Sequence, residues 1–452
     1  MNLKETLDQY SKSNMYPFHM PGHKRMLGGC YEIDMTEVDG VDDLHDPDGV
    51  IAAEQEKLAR LYKAKKSFML VGGSTVGNLS AIYSCCNEDD LILIQRNSHK
   101  SVYNGAILRH LRVGYIYPQV DDNGIYQAVT LEEIMESVEK EGEPKAIVLT
   151  SPTYEGFHCN LPKIWEYCKA QGILLIVDQA HGAHLGFNEL FQGQGVEHSD
   201  ITIQSLHKTL PCLTQTAALH VSSDRVDEAK VRQALDIFET SSPSYVLMNS
   251  ISGCLEILEN PEDYFEKYVD NLQDFYQVRG QLNHLSIPYE SAEIKDPGKI
   301  VILTGATNIT GVELAQILRE KYEIETELSS FSYVLAMTSI MDTKEGFDRL
   351  KKALVEIDEA LTDGSTKAPM IAISSAKAME PWQAKANGSI QMPLEESKGK
   401  VSADMVCLYP PGAPVIVPGE IIDSQALELI GQAKEASIHV TGINNGVISV
   451  VN

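Results

Sequence analysis

Between residues 66 and 221, seven short apolar runs alternate with stretches of helical length, and few folds satisfy that rhythm. The runs are FMLVG (68–72), LILI (91–94), VGYIY (113–117), AIVLT (146–150), ILLIVD (173–178), ITIQS (201–205) and AALHV (217–221). Segments 75–86, 99–110, 131–140 and 163–171 lie between them. Runs that are apolar at every position fit strands buried on both faces, so the pattern predicts an α/β chain with a mostly parallel central sheet covered by helices. A helical stretch over 244–285 follows. VILTG (300–304), a helix near 311–321, YVLAM (333–337) and the amphipathic 344–361 then predict a second, smaller α/β unit. Residues 362–368, TDGSTKA, read as a linker. The remainder carries LYPPGAPVIVPGE and a hairpin-like HVTGINNGVISVV turning at Asn445-Gly446. The expected division is an N-terminal arm (1–50), a large domain (51–290), a small α/β domain (291–365) and a C-terminal domain (366–452).

Charge narrows the partners. The formal net charge of −27 over 452 residues repels nucleic acid and suits a cationic small molecule. No run approaches the ~18 uninterrupted apolar residues of a membrane helix. The polar start, MNLKETLDQYSKS, lacks the apolar core of a secretory signal, so a cytoplasmic address is expected. The eight cysteines form no C-x-x-C pair and no His/Cys ligand spacing, so no metal site is expected.

Ligands of open parallel sheets bind at the carboxyl ends of strands. Gly72-Gly73-Ser74-Thr75 sits at one such end and opens a helix, where glycines, hydroxyls and free N–H groups can cradle a phosphate; an ordinary capped turn reads the same way. Asp178 ends ILLIVD and precedes Gln179-Ala180-His181-Gly182; a carboxylate there needs a partner, such as a protonated pyridine nitrogen, or else caps the next turn. Ser205-Leu206-His207-Lys208 follows ITIQ, and a lysine beside a phosphate site and apolar walls can act as a neutral amine, although a single lysine usually faces solvent. His99 follows LILI, placed to stack on a flat ring. Phosphate cradle, ring stacker, pyridine partner and amine arrive in the order expected of fold-type I pyridoxal-phosphate enzymes.

At four stretches the chain resembles the bacterial ornithine/lysine/arginine decarboxylases of fold type I. These are the arm FHMPGHK (18–24), the acidic EVDGVDDLHDPDG (37–49), SLHKTLPCLTQTAALH (205–220) and YPPGAPVIVPGE (409–420). The resemblance implies an aspartate-aminotransferase-like fold with a C-terminal decarboxylase domain, and pyridoxal 5'-phosphate as cofactor. It implies Lys208 as the Schiff-base lysine, Asp178 as the pyridine-nitrogen partner, and His99 and Ala180 on opposite ring faces. Ser74, Thr75, Ser205 and His207 would bind phosphate, with His181 also against the cofactor, and His207 or Lys208 would return the proton after carbon dioxide leaves. It further implies a homodimer with active sites at the interface, in a short form without the N-terminal wing domain. One departure stands out. Gln179 occupies the position where the family usually has Glu, which puts in question how that position tunes the cofactor.

A basic substrate needs an acid for its distal cation. The candidates are Asp39, Asp42, Asp43 and Asp46 of the acidic arm, which can reach in from the partner subunit, and Glu420; a solvated acidic loop also accounts for the first four. Transamination or aldolase-type cleavage could use the same core residues, and a non-catalytic cofactor-binding paralogue is a further alternative. A product assay distinguishes them.

Overall fold

The computed structural model describes residues 2–366, 376–409 and 413–452, so the end of the TDGSTKA segment and positions 410–412 of YPPGAPVIVPGE lie outside the described residues. The chain opens with α1 (Leu3–Ser11), followed by an extended arm and α2 (Val50–Tyr62). The seven expected runs all form strands: β1 (Lys66–Leu70), β2 (Leu91–Gln95), β3 (Arg112–Ile116), β4 (Ala146–Thr150), β5 (Leu174–Asp178), β6 (Ile201–Gln204) and β7 (Ala217–Val221). They make one sheet in the order β1-β7-β6-β5-β4-β2-β3. Only β7 runs antiparallel to its neighbours.

The unbroken apolar character of these strands has a direct structural reason. Ile92, Ile94, Val148 and Ile176 point into the core on one face of the sheet, and Leu93, Ile147, Leu149, Leu175 and Val177 into the core on the other. Side chains alternate with period two, and both faces are dry, so neither set can be polar. Helices α3 (Gly73–Cys85), α4 (Lys100–Leu108), α5 (Leu131–Glu141), α6 (Leu161–Gln171), the single turn α7 (Leu206–Thr209) and α8 (Glu228–Phe238) make the connections. The 244–285 stretch forms α9 (Tyr245–Leu258) and α10 (Glu262–Tyr276), separated at Asn260-Pro261, where proline cannot continue the preceding helix.

The second unit has a three-stranded sheet of β8 (Lys299–Leu303), β9 (Leu328–Ser329) and β10 (Tyr333–Met337), with α11 (Gly311–Tyr322) and α12 (Lys344–Asp358) packed against it. Beyond it lie α13 (Pro381–Ala386), β11 (Ser389–Pro393), β12 (Val406–Tyr409), β13 (Ala413–Ile416), α14 (Ser424–Glu435), β14 (His439–Thr441) and β15 (Val447–Val451). Here one expectation is corrected. Asn445 and Gly446 both take positive φ and the Asn444–Val447 pair closes the turn, as the Asn-Gly signal demands. The flanking strands nevertheless diverge, β14 pairing with β12 and β15 along its full length with β11. Among the described residues no helix is long and apolar enough to cross a membrane.

Candidate active site

The carboxyl ends of β1, β2, β4, β5 and β6 converge on one cavity of about 690 Å³. Ser74, Asn97, His99, Thr150, Asp178, Ala180, His181 and Lys208 line it, together with Tyr126, Tyr154 and Glu155. Sequence positions up to 134 residues apart are thus gathered by the single rule that strand ends hold ligands.

Asp178 is 3% exposed. Asn78 Nδ2 donates to its Oδ2 at 2.8 Å and the Ala180 amide donates to its Oδ1 at 3.1 Å, fixing the plane of the carboxylate. Among the described residues no lysine or arginine forms an ion pair with it, so a buried negative charge faces the cavity with room for a cationic partner. His99 caps α4: its Nδ1 accepts from the Ser101 amide at 3.3 Å, which puts its proton on Nε2, and the residue lines the cavity. Burial lowers its pKa, with Asp178 opposing and Lys208 adding to the shift.

Lys208 rides on the turn after β6. Burial lowers its pKa, with Asp178 and Glu327 pulling the other way. Its Nζ lies 2.9 Å from His181 Nε2. His181 is buried, with Tyr154 packed on its ring at 4.4 Å; burial first, and the charges of Lys208 and Lys299 next, hold it neutral. At the phosphate end, α3 starts after Gly72 without a side-chain cap; the Gly72 amide donates to Glu239 Oε2 at 3.3 Å, and the helix's own first amides, from Gly73 on, can meet an anion. Ser74 faces the cavity, whereas Thr75 is exposed to solvent. Ser205 Oγ is buried and has no hydrogen-bond partner within the chain. An orphaned hydroxyl, an uncapped helix start, an unpaired buried carboxylate and a pKa-depressed lysine together fit pyridoxal phosphate.

Not every expected residue comes to this cavity. His207 does not line it; its Nδ1–H donates to the Thr216 carbonyl at 2.8 Å, leaving only Nε2 free. Asp42 is committed elsewhere. Its carboxylate accepts the amides of Asp43, Asp48, Gly49, Ile51 and Ala52. Burial opposes the charge, but these amides prevail and hold its pKa below the usual range. It organises the entry into α2 and cannot also receive a substrate cation. Asp43 accepts the His45 amide at 2.9 Å and does not line the cavity. Asp39 and Asp46 are exposed. Glu420 is fully buried against Arg96, with Nε and Nη2 of the guanidinium at 3.2 and 2.9 Å and the Val417 amide at 2.8 Å. Both of its oxygens are used structurally, which corrects the expected substrate role.

Gln179 points away from the cofactor position. Its Nε2 donates to the carbonyls of Ser151 and Gly193, and its Oε1 accepts from the Gly195 amide and Gln204 Nε2. Four bonds satisfy the amide fully, and a carboxylate would set an oxygen against two carbonyls. The departure at 179 is therefore matched by its surroundings.

Two residues that sequence reasoning passed over stand beside the site. Glu155 follows β4, so the strand-end rule that selected Asp178 could have found it. Lys299, at the start of β8, carried no signal of its own in the polar run IKDPGK.

The fold and the site define a fold-type I pyridoxal-phosphate enzyme. Residues 2–287 match the family described as Orn/Lys/Arg decarboxylase, major domain, and residues 358–450 match Orn/Lys/Arg decarboxylase, C-terminal domain. The chain belongs to the Orn/Lys/Arg decarboxylase family, and it is a pyridoxal-phosphate-dependent decarboxylase of a basic amino acid. It is 30% identical to the arginine decarboxylase of Halalkalibacterium halodurans, over 96% of this chain and 93% of that protein. The lysine decarboxylase LdcF of Francisella novicida has a similar fold, with a TM-score of 0.86 at 19% identity over 100% of this chain and 81% of that one. Serine palmitoyltransferase of Sphingomonas wittichii is more distant in structure, with a TM-score of 0.59 at 14% identity over 79% and 84% of the two chains.

Proposed function

We propose that the chain decarboxylates arginine, with Lys208 as the cofactor-linked amine, Asp178 as the partner of the pyridine nitrogen and Glu155 as the acid that meets the substrate's distal cation. The observation that carries this reading is the single cavity in which Lys208, Asp178, His99 and Glu155 converge. Arginine is favoured among the basic amino acids by the likeness to the Halalkalibacterium arginine decarboxylase.

When bound, pyridoxal phosphate supplies an aldehyde that links to amines and a ring that takes up the electrons released as carbon dioxide leaves. Asp178 would hold the proton on the ring nitrogen, His99 and Ala180 would flank the ring, and the amides at the start of α3 with Ser74 and Ser205 would hold the phosphate. Lys208, on the cavity wall, would be the amine that holds the cofactor's aldehyde and, when not so engaged, would serve as the proton donor to Cα. His207, anchored on Thr216 outside the cavity wall, is the less suited donor.

Glu155 replaces the acidic arm as the cation receptor. It is 3% exposed, accepts from Tyr333 Oη at 2.7 Å, and lines both the cofactor cavity and an adjoining one of about 580 Å³. Burial raises its pKa, with Tyr333 opposing; a guanidinium in that space would restore the charge at mutual benefit. Glu155→Gln is expected to raise KM for the basic substrate by about 10–100-fold with a smaller change in kcat, the scale of one hydrogen bond to a charged group. An unchanged KM would remove Glu155 from recognition.

The protein is further proposed to work as a homodimer. The arm supports this, because Met15, Tyr16, Phe18, Met26 and Leu27 are each more than 60% exposed, an apolar surface suited to a second copy of the chain. The deciding experiment for the activity is mass spectrometry of products from arginine, lysine and ornithine. Carbon dioxide and the corresponding amine, formed fastest from arginine, are expected; a keto acid would overturn the reaction, and faster turnover of lysine or ornithine would overturn the substrate.

A further inference from the structure

The turn that feeds α3 is held by an acid that the reaction above does not use. Glu239 follows α8, is 8% exposed and does not line the cofactor cavity. Its Oε2 accepts the amides of Val71 at 3.1 Å and Gly72 at 3.3 Å, and its Oε1 accepts the Thr240 amide at 3.2 Å. Val71 and Gly72 are the two residues between the end of β1 and the start of α3. A Cβ on Gly72 would come within 3.0 Å of Glu239 Oε1 and 2.4 Å of Val76 Cγ2, so the backbone can approach the acid this closely only without a side chain. Burial raises the pKa of Glu239, against the amides of Thr240, Val71 and Gly72 and the charge of His45. His45 belongs to the acidic stretch 37–49, and its Nε2–H donates to the Thr240 carbonyl at 2.8 Å. A motif that supplies no residue to the cavity lining thus reaches this junction instead.

Donor counting shows what the acid does there. A helix start has four amides without a partner in its own ladder, here those of Gly72, Gly73, Ser74 and Thr75. Glu239 takes the first of them, together with that of Val71, and leaves the other three for an anion. A carboxylate has lone pairs for all the amides it meets. A glutamine in its place has one acceptor oxygen and would turn its NH2 towards an N–H, while an aspartate would keep the charge and fall one methylene short. Charge and geometry act oppositely on a phosphate at α3: a second anion repels it, but a pinned turn keeps its donors in place. Three N–H dipoles point at the carboxylate and offset its field, whereas loss of the acceptor releases all three, so geometry is the larger effect.

We propose that Glu239 is a positioning residue for the cofactor's phosphate: it pins Val71 and Gly72 so that the amides of Gly73, Ser74 and Thr75 are presented to that group. The inference rests on the reading of the α3 start as the phosphate site.

The test compares the affinities of apoprotein for pyridoxal phosphate and for pyridoxal, which has the same ring and aldehyde but no phosphate. Glu239→Gln and Glu239→Asp should each weaken pyridoxal phosphate by about tenfold, the scale of one lost hydrogen bond to a charged group, and leave pyridoxal within about twofold. Amide hydrogen exchange of the apoprotein should quicken in the peptide spanning 70–76 in both variants. Equal weakening of the two ligands would make Glu239 an ordinary structural contact and overturn the proposal. Unchanged affinities or unchanged exchange would do the same. So would tighter pyridoxal phosphate binding in Glu239→Gln, because the acid would then act on the phosphate by repulsion. The aspartate variant keeps the charge, so a selective loss there reports reach alone, and it decides the matter if Glu239→Gln does not fold. Ser74→Asp probes the underlying reading separately: a charge in the first turn of α3 should cut pyridoxal phosphate affinity by at least about 100-fold. No change in that variant would place the phosphate elsewhere, even where hydrogen exchange shows the turn pinned by Glu239.

Discussion

Lys208→Ala is expected to leave no measurable decarboxylation, a loss of at least about 10⁴-fold, because on the proposed reading this side chain is the amine that holds the cofactor. An ordinary lysine, with a pKa near 10.4, is a free amine in roughly one molecule in a thousand at pH 7.5. Each unit by which burial lowers that pKa makes the amine about tenfold more available, and the enclosure of Lys208 acts in this direction. Alanine supplies none. Borohydride reduction should fix pyridoxal phosphate to the residue-208 peptide of the parent protein and to no peptide of the variant. The internal rival is Lys299, on the far nitrogen of His181. It lies outside the cavity lining, so label found on its peptide would reassign the cofactor linkage, and activity persisting in the alanine variant would end it.

The parts of this site that sequence made legible share a physical origin. Strand ends in a parallel sheet are the places where an apolar run must stop, so a polar residue there, such as Asp178 after ILLIV or Ser205 after ITIQ, is visible against its background. The sheet itself was legible because burial on both faces forbids polar residues in its central strands. Roles set by tertiary contact were not legible. Asp42 and Glu420 looked like receptors for a cation because carboxylates in a negatively charged chain are read by their charge alone. Their partners, five backbone amides in one case and a guanidinium 324 positions away in the other, emerge only on folding. Lys299 is the converse, a lysine in a polar run whose burial depends on the small unit closing over Gly156 and His181. The divergence of β14 and β15 shows the same limit in the backbone: the turn is local, the choice of strand partner is not.

Glu420→Gln is expected to cost stability and not substrate affinity. Arg96 and Glu420 are 2% and 0% exposed, joined by two N–H···O bonds, and Arg96 also donates to the carbonyls of Pro414 and Val415. Burial, the largest single influence, opposes the charge on Arg96, yet Glu420 together with Tyr103, Tyr115 and Tyr117 holds the guanidinium above its usual pKa. Glutamine preserves the shape but leaves that cation without a counter-charge in a dry interior, at a cost of about 3–5 kcal/mol. For 452 residues unfolding as one unit, the melting temperature should fall by about 3–5 °C on this scale. The double variant Arg96→Met/Glu420→Leu should recover only part of the loss: it removes the buried charge but leaves the Pro414 and Val415 carbonyls and the Val417 amide without these partners. The pair joins the end of β2 to β13, whose first residue, Ala413, lines the cofactor cavity. Activity should therefore fall with the folded fraction while KM stays level, whereas a higher KM in a protein of undiminished melting temperature would return Glu420 to substrate recognition.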